Sequence, residues 1–593
     1  MVKYIAKKWT TIIPAAFFTA GLMFFSFFYY YHFHFIEQLQ IFQYTNLYFS
    51  TYLNEPGFLS AIAGDFLTQF YKIHLLAGVI IILILALIYY LLKTILSKFG
   101  VTSRWIILPL LPIAFLFLLH CSINYRLSAT FGILLALSLV NLWFLIKKFR
   151  IVAGILIIVI SYFALGTFAF IPASLFVIFE IANGKGLKPF IYSFIYFFVL
   201  ILLPVIARNY FYIISWKQAL LPIANYDWRY EIPVLIYILF ASIPLVIITG
   251  IILLKRRQKQ KKKTDKLLIP ILGQIIVLFA VIYYFIPEFV SSEIERGCRL
   301  DYEVRNKNWD KIIEIADSWD SIQPVHQPYI NLALSHNGEL LTSLFDFAPR
   351  NVNALVPPKS ENMLFNMICM EVYYRLAWTS LAQVHGIMAN QETFRGRNVR
   401  CMQRLTEMEI INGNYILAEK YLDILDKTLF YKSWSKEKRK LLWNEELIKK
   451  EDDYRETRKQ LPKKDMLNGA NLIVDLKQYL NVNRNCKVAS EYLVAALMLN
   501  KDNKAIVDYL ESLKEIKYVE YPLLIQQVGM MYFVYKKGDQ EVLKKFTVSD
   551  PVFRQFKDFY TIMDMSRSNI QMAQGQLQSK YAKTYWYYLY FNK

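Results

Sequence analysis

Two patterns of apolar positions divide the chain. Through the first half, long apolar runs alternate with short loops rich in Lys and Arg; through the second, apolar residues recur three and four apart. The runs Ile12–Tyr31, Leu75–Leu92, Trp105–Leu119, Ser128–Ile146, Phe190–Ala207, Pro233–Leu254 and Leu267–Val290 lie near the length a helix needs to cross a bilayer. Residues 151–182, broken by Gly166 and Pro172, read as a thin hairpin of two further crossings. That makes about nine spans, and with nine every basic loop falls on one side.

The loop between the first two spans has its own pattern. On a helical projection of Glu37–Tyr52, Glu37, Ile41, Tyr44, Tyr48 and Tyr52 share a narrow arc, opposite Gln40, Gln43, Asn46 and Ser50. A turn at Asn54-Glu55-Pro56-Gly57 follows. A second segment then gathers Phe58, Leu59, Ile62, Phe66 and Phe70 on one face, with Asp65 at its edge. Residues 32–72 therefore read as two amphipathic helices lying in the membrane interface.

The second half reads as helices joined by short polar turns: Arg305–Trp309, Ser335–Gly338, Ile411–Tyr415, Asn500–Asn503 and Lys536–Asp539. Around Asn412-Gly413-Asn414 one helix ends and another presents Tyr415, Ala418, Tyr421, Leu422 and Leu425. Glu491–Leu510 repeats the arrangement with Ala495, Ala496, Leu499, Ala505, Tyr509 and Leu510. This resembles the helix–turn–helix of tetratricopeptide repeats and implies a degenerate solenoid. The expected fold is all-α: a transmembrane domain over 1–291 and a helical-repeat domain over 292–593.

Charge turns this into a topology. Of 593 residues, 56% are hydrophobic, too many for an ordinary soluble chain. Residues 1–291 hold 24 Lys and Arg against 8 Asp and Glu, and the remainder 43 against 38. The net charge of +21 thus reports cytoplasmic loops and not a nucleic-acid partner. Lys3, Lys7 and Lys8 hold the N-terminus inside, and the first apolar run reads as an uncleaved span. The run Lys255–Lys266 stays inside as well, so everything beyond about Ser291 is expected on the outer side. The five cysteines, Cys121, Cys298, Cys369, Cys401 and Cys486, are scattered and form no CxxC. They suggest no metal or redox motif and leave a disulfide on the outer side open.

No P-loop, dinucleotide fingerprint, hydrolase elbow or HExxH is present, so chemistry is sought in the membrane domain and its outer loops. Glu37 is placed at the outer mouth of the first span, where a partly desolvated carboxylate can serve as a general base. Arg126, Arg208 and Arg229 break the rule that outer loops are poor in Arg and suggest a pocket for an anionic headgroup or a diphosphate. Tyr44, Tyr125 and Asp227 stand beside these groups as substrate-binding candidates. Glu180, in a span but near Asn183 at the inner interface, reads as structural.

The stretches Glu37–Phe42, Gly64–Tyr71, Asn124–Leu127 and Asn412–Tyr415 resemble an uncharacterised family of multi-pass inner-membrane proteins of Bacteroidota. That resemblance implies a bacterial inner membrane and a periplasmic C-terminal domain. A long first outer loop, many spans and a trans-side repeat domain together resemble GT-C glycosyltransferases. That resemblance implies transfer of a polyprenyl-phosphate-linked glycan to a periplasmic acceptor such as a protein hydroxyl. It assigns the acidic role to Glu37, with Asp65 assisting or holding a divalent cation, Mg or Mn. Many GT-C members show two adjacent acids, whereas Gln38 follows Glu37 here. The alternative is an inner-membrane scaffold whose periplasmic repeats recruit envelope or secretion proteins. A transporter ranks behind both, because the spans carry almost no charge for coupling.

Overall fold

A computed structural model describes residues 2–101, 105, 107–220, 232–259, 268–358, 362–393, 396–463, 467–513, 521–566 and 570–592. Among them there are helices and no strand. The chain forms two units: Met1–Glu295 with Lys427–Phe430, and Arg296–Asp426 with Tyr431–Lys593.

The first unit opens with α1 (Val2–Met23), which a π-helical turn extends to Phe28. Then come α2 (Tyr31–Gln38), α3 (Asn46–Tyr52), α4 (Phe58–Thr68), α5 (Leu76–Lys98), α6 (Ile107–Leu119) and α7 (Leu127–Trp143). They are followed by α8 (Arg150–Leu165), α9 (Phe170–Asn183), α10 (Lys188–Ile206), α11 (Trp216–Leu220), α12 (Val234–Lys259) and α13 (Leu268–Phe289). α5 is the central post. Its Ile81, Leu85, Ile88, Leu92 and Ile95, spaced three and four apart, are wholly buried against α1, α6 and α7. Leu83, Leu87 and Tyr90 on its other side are exposed, the apolar outer surface that a membrane helix presents to lipid.

Five helical stretches, or six if α13 and the helix after it count as one, are long and apolar enough to cross a membrane. α6 and α7 are shorter apolar helices. Arg150–Asn183 is a single apolar run of 34 residues, but it doubles back. In a straight helix Arg150 and Phe179 would stand about 44 Å apart at 1.5 Å per residue. Instead the Arg150 guanidinium lies 4.6 Å from the centre of the Phe179 ring. The reversal sits at Gly166, whose φ of 73° suits a residue without a Cβ, followed by the 3₁₀ turn Gly166–Ala169.

Three expectations change. Glu37–Tyr52 is not one helix: α2 stops at Gln38, and α3 starts afresh where the Thr45 side chain accepts the Tyr48 N–H at 3.2 Å. On α4 the face turned inward is Ser60, Gly64, Asp65 and Thr68, while Leu59 and Phe66 of the apolar face are exposed. Lys255–Lys259 continue the helix of α12 instead of forming a loop; the rest of that basic run, residues 260–266, lies outside the described residues. All five cysteines are buried, and no disulfide joins them.

The described elements of the second unit are all helices. α14 (Ser292–Arg305) leads into it, followed by α15 (Trp309–Asp317), α16 (Gln327–Asn337), α17 (Leu340–Ser343), α18 (Met363–Arg375) and α19 (Thr379–Gln391). α20 (Val399–Asn412) and α21 (Tyr415–Leu425) come next. Smaller helices follow, among them Leu472–Val482, Lys487–Leu499 and Asn503–Ser512, ending at Tyr585–Phe591. α16, α18 and α20 begin at Gln327, Met363 and Val399, a constant offset of 36 residues. The helix ends share one device: a residue with positive φ, and a hydrogen bond reaching back five residues. Asn308 N–H reaches Glu303 O, Glu339 reaches Leu334, Trp378 reaches Tyr373, Asn414 reaches Glu409 and Asp502 reaches Leu497, all at 2.8–3.0 Å. All five polar turns of the sequence are turns in the structure.

Gly413 holds φ at 79°, and a Cβ there would meet nothing within 4 Å. Gly413→Val therefore tests backbone strain alone. The expected loss is about 1–2 kcal/mol, read as faster amide exchange in α20 and α21. An unchanged exchange rate would mean that the turn does not depend on glycine.

Candidate functional site

The helices of the first outer loop bring two of the sequence-derived residues into the interior of the first unit. Glu37, on the last turn of α2, is 2% exposed, and Asp65, on α4, is 7% exposed. Gln40 links their surroundings. Its N–H is donated to the Glu37 carbonyl at 3.4 Å, and its side-chain amide donates to the Asp65 carbonyl at 2.9 Å. The Asp65 carboxylate accepts the Tyr52 hydroxyl at 2.7 Å, and Tyr52 is in turn 2.8 Å from the Tyr48 hydroxyl. Of the tyrosines grouped by the sequence, Tyr48 and Tyr52 thus form a chain of hydroxyls that ends on Asp65. Tyr44 is 46% exposed, and its hydroxyl exchanges hydrogen bonds with Gln69 at 3.1–3.2 Å.

α7 closes against α4 where Gly64 meets the Ser128 backbone. That contact brings Tyr125 and Arg126, which precede α7, to the same region as Asp65. Tyr125 is buried, with its hydroxyl 3.1 Å from Thr130 Oγ1. Arg126 is half-buried at the N-cap of α7. Arg208 stands apart: it lies in a π-helical turn at the end of α10, with its guanidinium 4.3 Å from the Trp216 ring. Asp227 and Arg229 lie outside the described residues.

Beside this region runs a buried network that the sequence reading did not single out. Glu295 reaches back to the start of α2. Its carboxylate accepts the Tyr31 N–H at 2.7 Å and the His32 N–H at 3.3 Å, and lies 3.2 Å from His32 Nδ1. A carboxylate at a helix N-terminus satisfies free N–H groups and complements the helix dipole. His32 Nε2 is 3.0 Å from the His120 carbonyl, so with Nε2 protonated the ring donates there. The His120 ring stands 2.8 Å from Thr130 Oγ1, which connects this network to Tyr125. Burial, aided by the neighbouring His32, lowers the His120 pKa to about 3, so this ring is neutral across the physiological range. Burial also raises the Tyr125 and Tyr71 phenols far above their usual value, and both stay protonated. The Tyr71 hydroxyl is buried with no hydrogen-bond partner among the described residues. One signal was available in sequence: of seven histidines, four (His32, His34, His74 and His120) flank the ends of the first three spans.

The arrangement offers two buried carboxylates, neutral hydroxyl donors and one arginine in a common region. Among the described residues no three His, Cys, Asp or Glu side chains converge as metal ligands.

A profile described as "Family of unknown function (DUF6057)" matches residues 5–592. No curated protein and no solved structure gives a significant match.

Proposed function

The chain belongs to that family of unknown function, and we propose that its membrane unit is a GT-C-like glycosyltransferase that moves a sugar or oligosaccharide from a polyprenyl-phosphate carrier to a hydroxyl acceptor. The observation that carries this reading is the burial of Glu37 and Asp65 on two helices of one loop, directly after the first span. A carboxylate held there suits a general base. The acceptor hydroxyl attacks the anomeric carbon and forms the new glycosidic bond. The bond from that carbon to the phosphate oxygen breaks, the phosphate leaves with its electron pair, and the hydroxyl proton passes to Glu37. Arg126 faces the leaving phosphate; Arg208, apart at the end of α10, and Arg229, outside the described residues, are donor-binding residues on the sequence pattern alone. Asp65, fastened by Tyr52, shapes the acceptor side together with Tyr44 and Tyr125; Asp227, outside the described residues, is assigned to substrate binding from the sequence alone.

In this reading α1, α5, α6, α7, α8, α9, α10, α12 and α13 are the nine crossings, with α8 and α9 the two arms of the hairpin. Lys3, Lys7, Lys8, Lys147, Lys148, Lys185, Lys188 and the end of α12 then all face the cytoplasm of a bacterial inner membrane. The second unit is periplasmic, and its 36-residue helix pairs act as a tetratricopeptide-like surface that presents a protein acceptor. Those same pairs favour a second reading, a scaffold that recruits envelope proteins without chemistry.

Glu37→Gln separates the two. It keeps the side-chain shape and removes the base, so transfer should fall on the order of 10²–10⁴-fold while expression and insertion stay unchanged. The measurement is the glycan profile of envelope proteins in the variant strain beside a deletion strain. A wild-type profile in the variant, with the profile lost in the deletion, would end the base assignment; a deletion strain with an intact profile would end the glycosyltransferase reading.

A further inference from the structure

Away from the outer loop, the basic end of the α8–α9 hairpin holds charged and polar groups that lack the partners burial demands. Arg150 opens α8. Its guanidinium sits in a corner between Trp143 and Phe179, 4.6 Å from the centre of each ring, and the two rings are perpendicular. The Trp143 indole N–H donates to the Arg150 carbonyl at 3.0 Å and fixes the corner. Among the described residues Arg150 Nε is buried without a partner, and no carboxylate is ion-paired with the guanidinium.

Glu180 lies one turn before the end of α9 and is half-buried. It feels the charge of Arg150, yet no ion pair within 4.0 Å joins the two. One turn apart on α10, Ser193 Oγ and Tyr196 OH are each buried with no hydrogen-bond partner among the described residues. Tyr196 is wholly buried. Its ring and hydroxyl pack on Gly154, one turn beyond Arg150, where a Cβ would come within 2.8 Å of them, and the hydroxyl feels the charges of Arg150 and Glu180.

A cation and an anion that approach but do not pair, with two idle hydroxyl donors between helices, match a ligand that carries both charges. We propose that this end of the hairpin binds the headgroup of an aminophospholipid: Arg150 takes the phosphodiester, Ser193 and Tyr196 donate to its oxygens, and Glu180 accepts from the primary ammonium. Arginine suits the first role because its fork can offer two N–H groups to one phosphate. A purely anionic headgroup would place its charge against Glu180. A quaternary ammonium would have no N–H to donate. The same chemistry exists in water-soluble phosphoethanolamine, but Phe190, Phe194 and Phe197 of α10 are exposed alongside and give acyl chains an apolar surface. Basic sites between spanning helices are where lipid headgroups are commonly held. The inference needs the membrane reading of these helices and does not depend on glycosyl transfer.

The test uses the delipidated full-length protein in detergent, offered an equimolar mixture of phosphatidylethanolamine, phosphatidylglycerol and phosphatidylcholine with identical acyl chains. Lipid retention is read by native mass spectrometry. Phosphatidylethanolamine should be retained about tenfold over the other two, as expected for one charge-assisted contact. Arg150→Gln should lower retention of all three lipids, because each carries the phosphodiester that Arg150 takes. Glu180→Gln should turn the preference toward phosphatidylglycerol, a gain that a misfolded protein would not show. Equal retention of the three lipids by the wild type, or an unchanged preference in Glu180→Gln, would overturn the site. Displacement of the lipid by dissolved O-phosphoethanolamine at matched concentration would put the ligand in solution and overturn the lipid assignment.

Discussion

Arg400→Met should destabilise the second unit by about 3–5 kcal/mol at neutral pH, because it removes the guanidinium from buried Asp301 and one of the two from Glu371. Arg400 is 4% exposed and sits between Asp301, with which it pairs closely, and Glu371 Oε1 at 3.3 Å. Arg404 takes the other Glu371 oxygen at 2.7 Å and also holds Glu407 at 2.7 Å. The Tyr329 hydroxyl donates to Asp301 at 2.6 Å. Burial opposes ionisation of Glu371, but the guanidiniums of Arg404 and Arg400 overcome it and hold its pKa below the usual carboxylate value. A lowered folded pKa stabilises above the unfolded value of about 4.3 and is lost as pH falls through the folded value. The wild type should therefore weaken below about pH 4. The gap between wild type and variant should narrow over the same range, since the variant has less carboxylate stabilisation to lose. Thermal melts of the full-length protein in detergent at pH 7 and in acid, with amide exchange of α18 and α20 as the local readout, would check both statements. A variant within about 1 kcal/mol of wild type at neutral pH would show the network to be dispensable.

Local features were legible before the structure. Asn412-Gly413-Asn414 announces a turn because only a residue without a Cβ adopts φ of 79° at little cost. The fold-back of residues 151–182 was readable from Gly166 in an apolar stretch too long for one crossing. The faces of the first outer loop were harder. Tyr44, Tyr48 and Tyr52 are spaced like a helix running from Glu37, but the chain leaves the helix at Leu39, and Thr45 caps a new one. Period alone cannot see a break that a capping side chain and the long-range Gln40–Asp65 bond enforce. On α4 the usual inference from apolar to buried inverts, because in a membrane the apolar face can look outward and small residues make the close contacts. Nothing local announces Glu295 as the cap of α2, since 264 positions separate it from Tyr31. Glu37 and Asp65 were legible as carboxylates in an aromatic loop. Their shared surroundings were not, for the link is the side chain of Gln40, assigned to the opposite face.

Gly64→Val should disrupt the first unit, because its side chain would be driven into backbone atoms. A Cβ at Gly64 would stand 2.3 Å from Ser128 Cα and 2.4 Å from Ser128 N. Those atoms are backbone and cannot swing aside as a side chain would. Ser60, Gly64 and Thr68, four apart, form the small inward face of α4 that allows this approach, and in spanning helices close packing of this kind replaces the hydrophobic drive. Relief requires α4 and α7 to part by about 1 Å or more, enough to forfeit a large share of the contact energy along the crossing. The cost should be about 3 kcal/mol or more, at or beyond the upper end of ordinary overpacking. Because Asp65 follows Gly64 directly, the shift also moves the carbonyl that Gln40 holds and the carboxylate that Tyr52 holds. Under the proposed glycosyl transfer, activity should then fail even in molecules that stay folded and keep Glu37. Gly273→Val is the matched control: it lies in a helix of the same unit, where a Cβ would meet nothing within 4 Å. Melting temperature in detergent and the monodisperse fraction should drop sharply for Gly64→Val and hold for Gly273→Val. Wild-type melting in Gly64→Val would mean that α4 and α7 do not meet as closely as this, and the placement of Asp65 beside Tyr125 and Arg126 would fall with that contact.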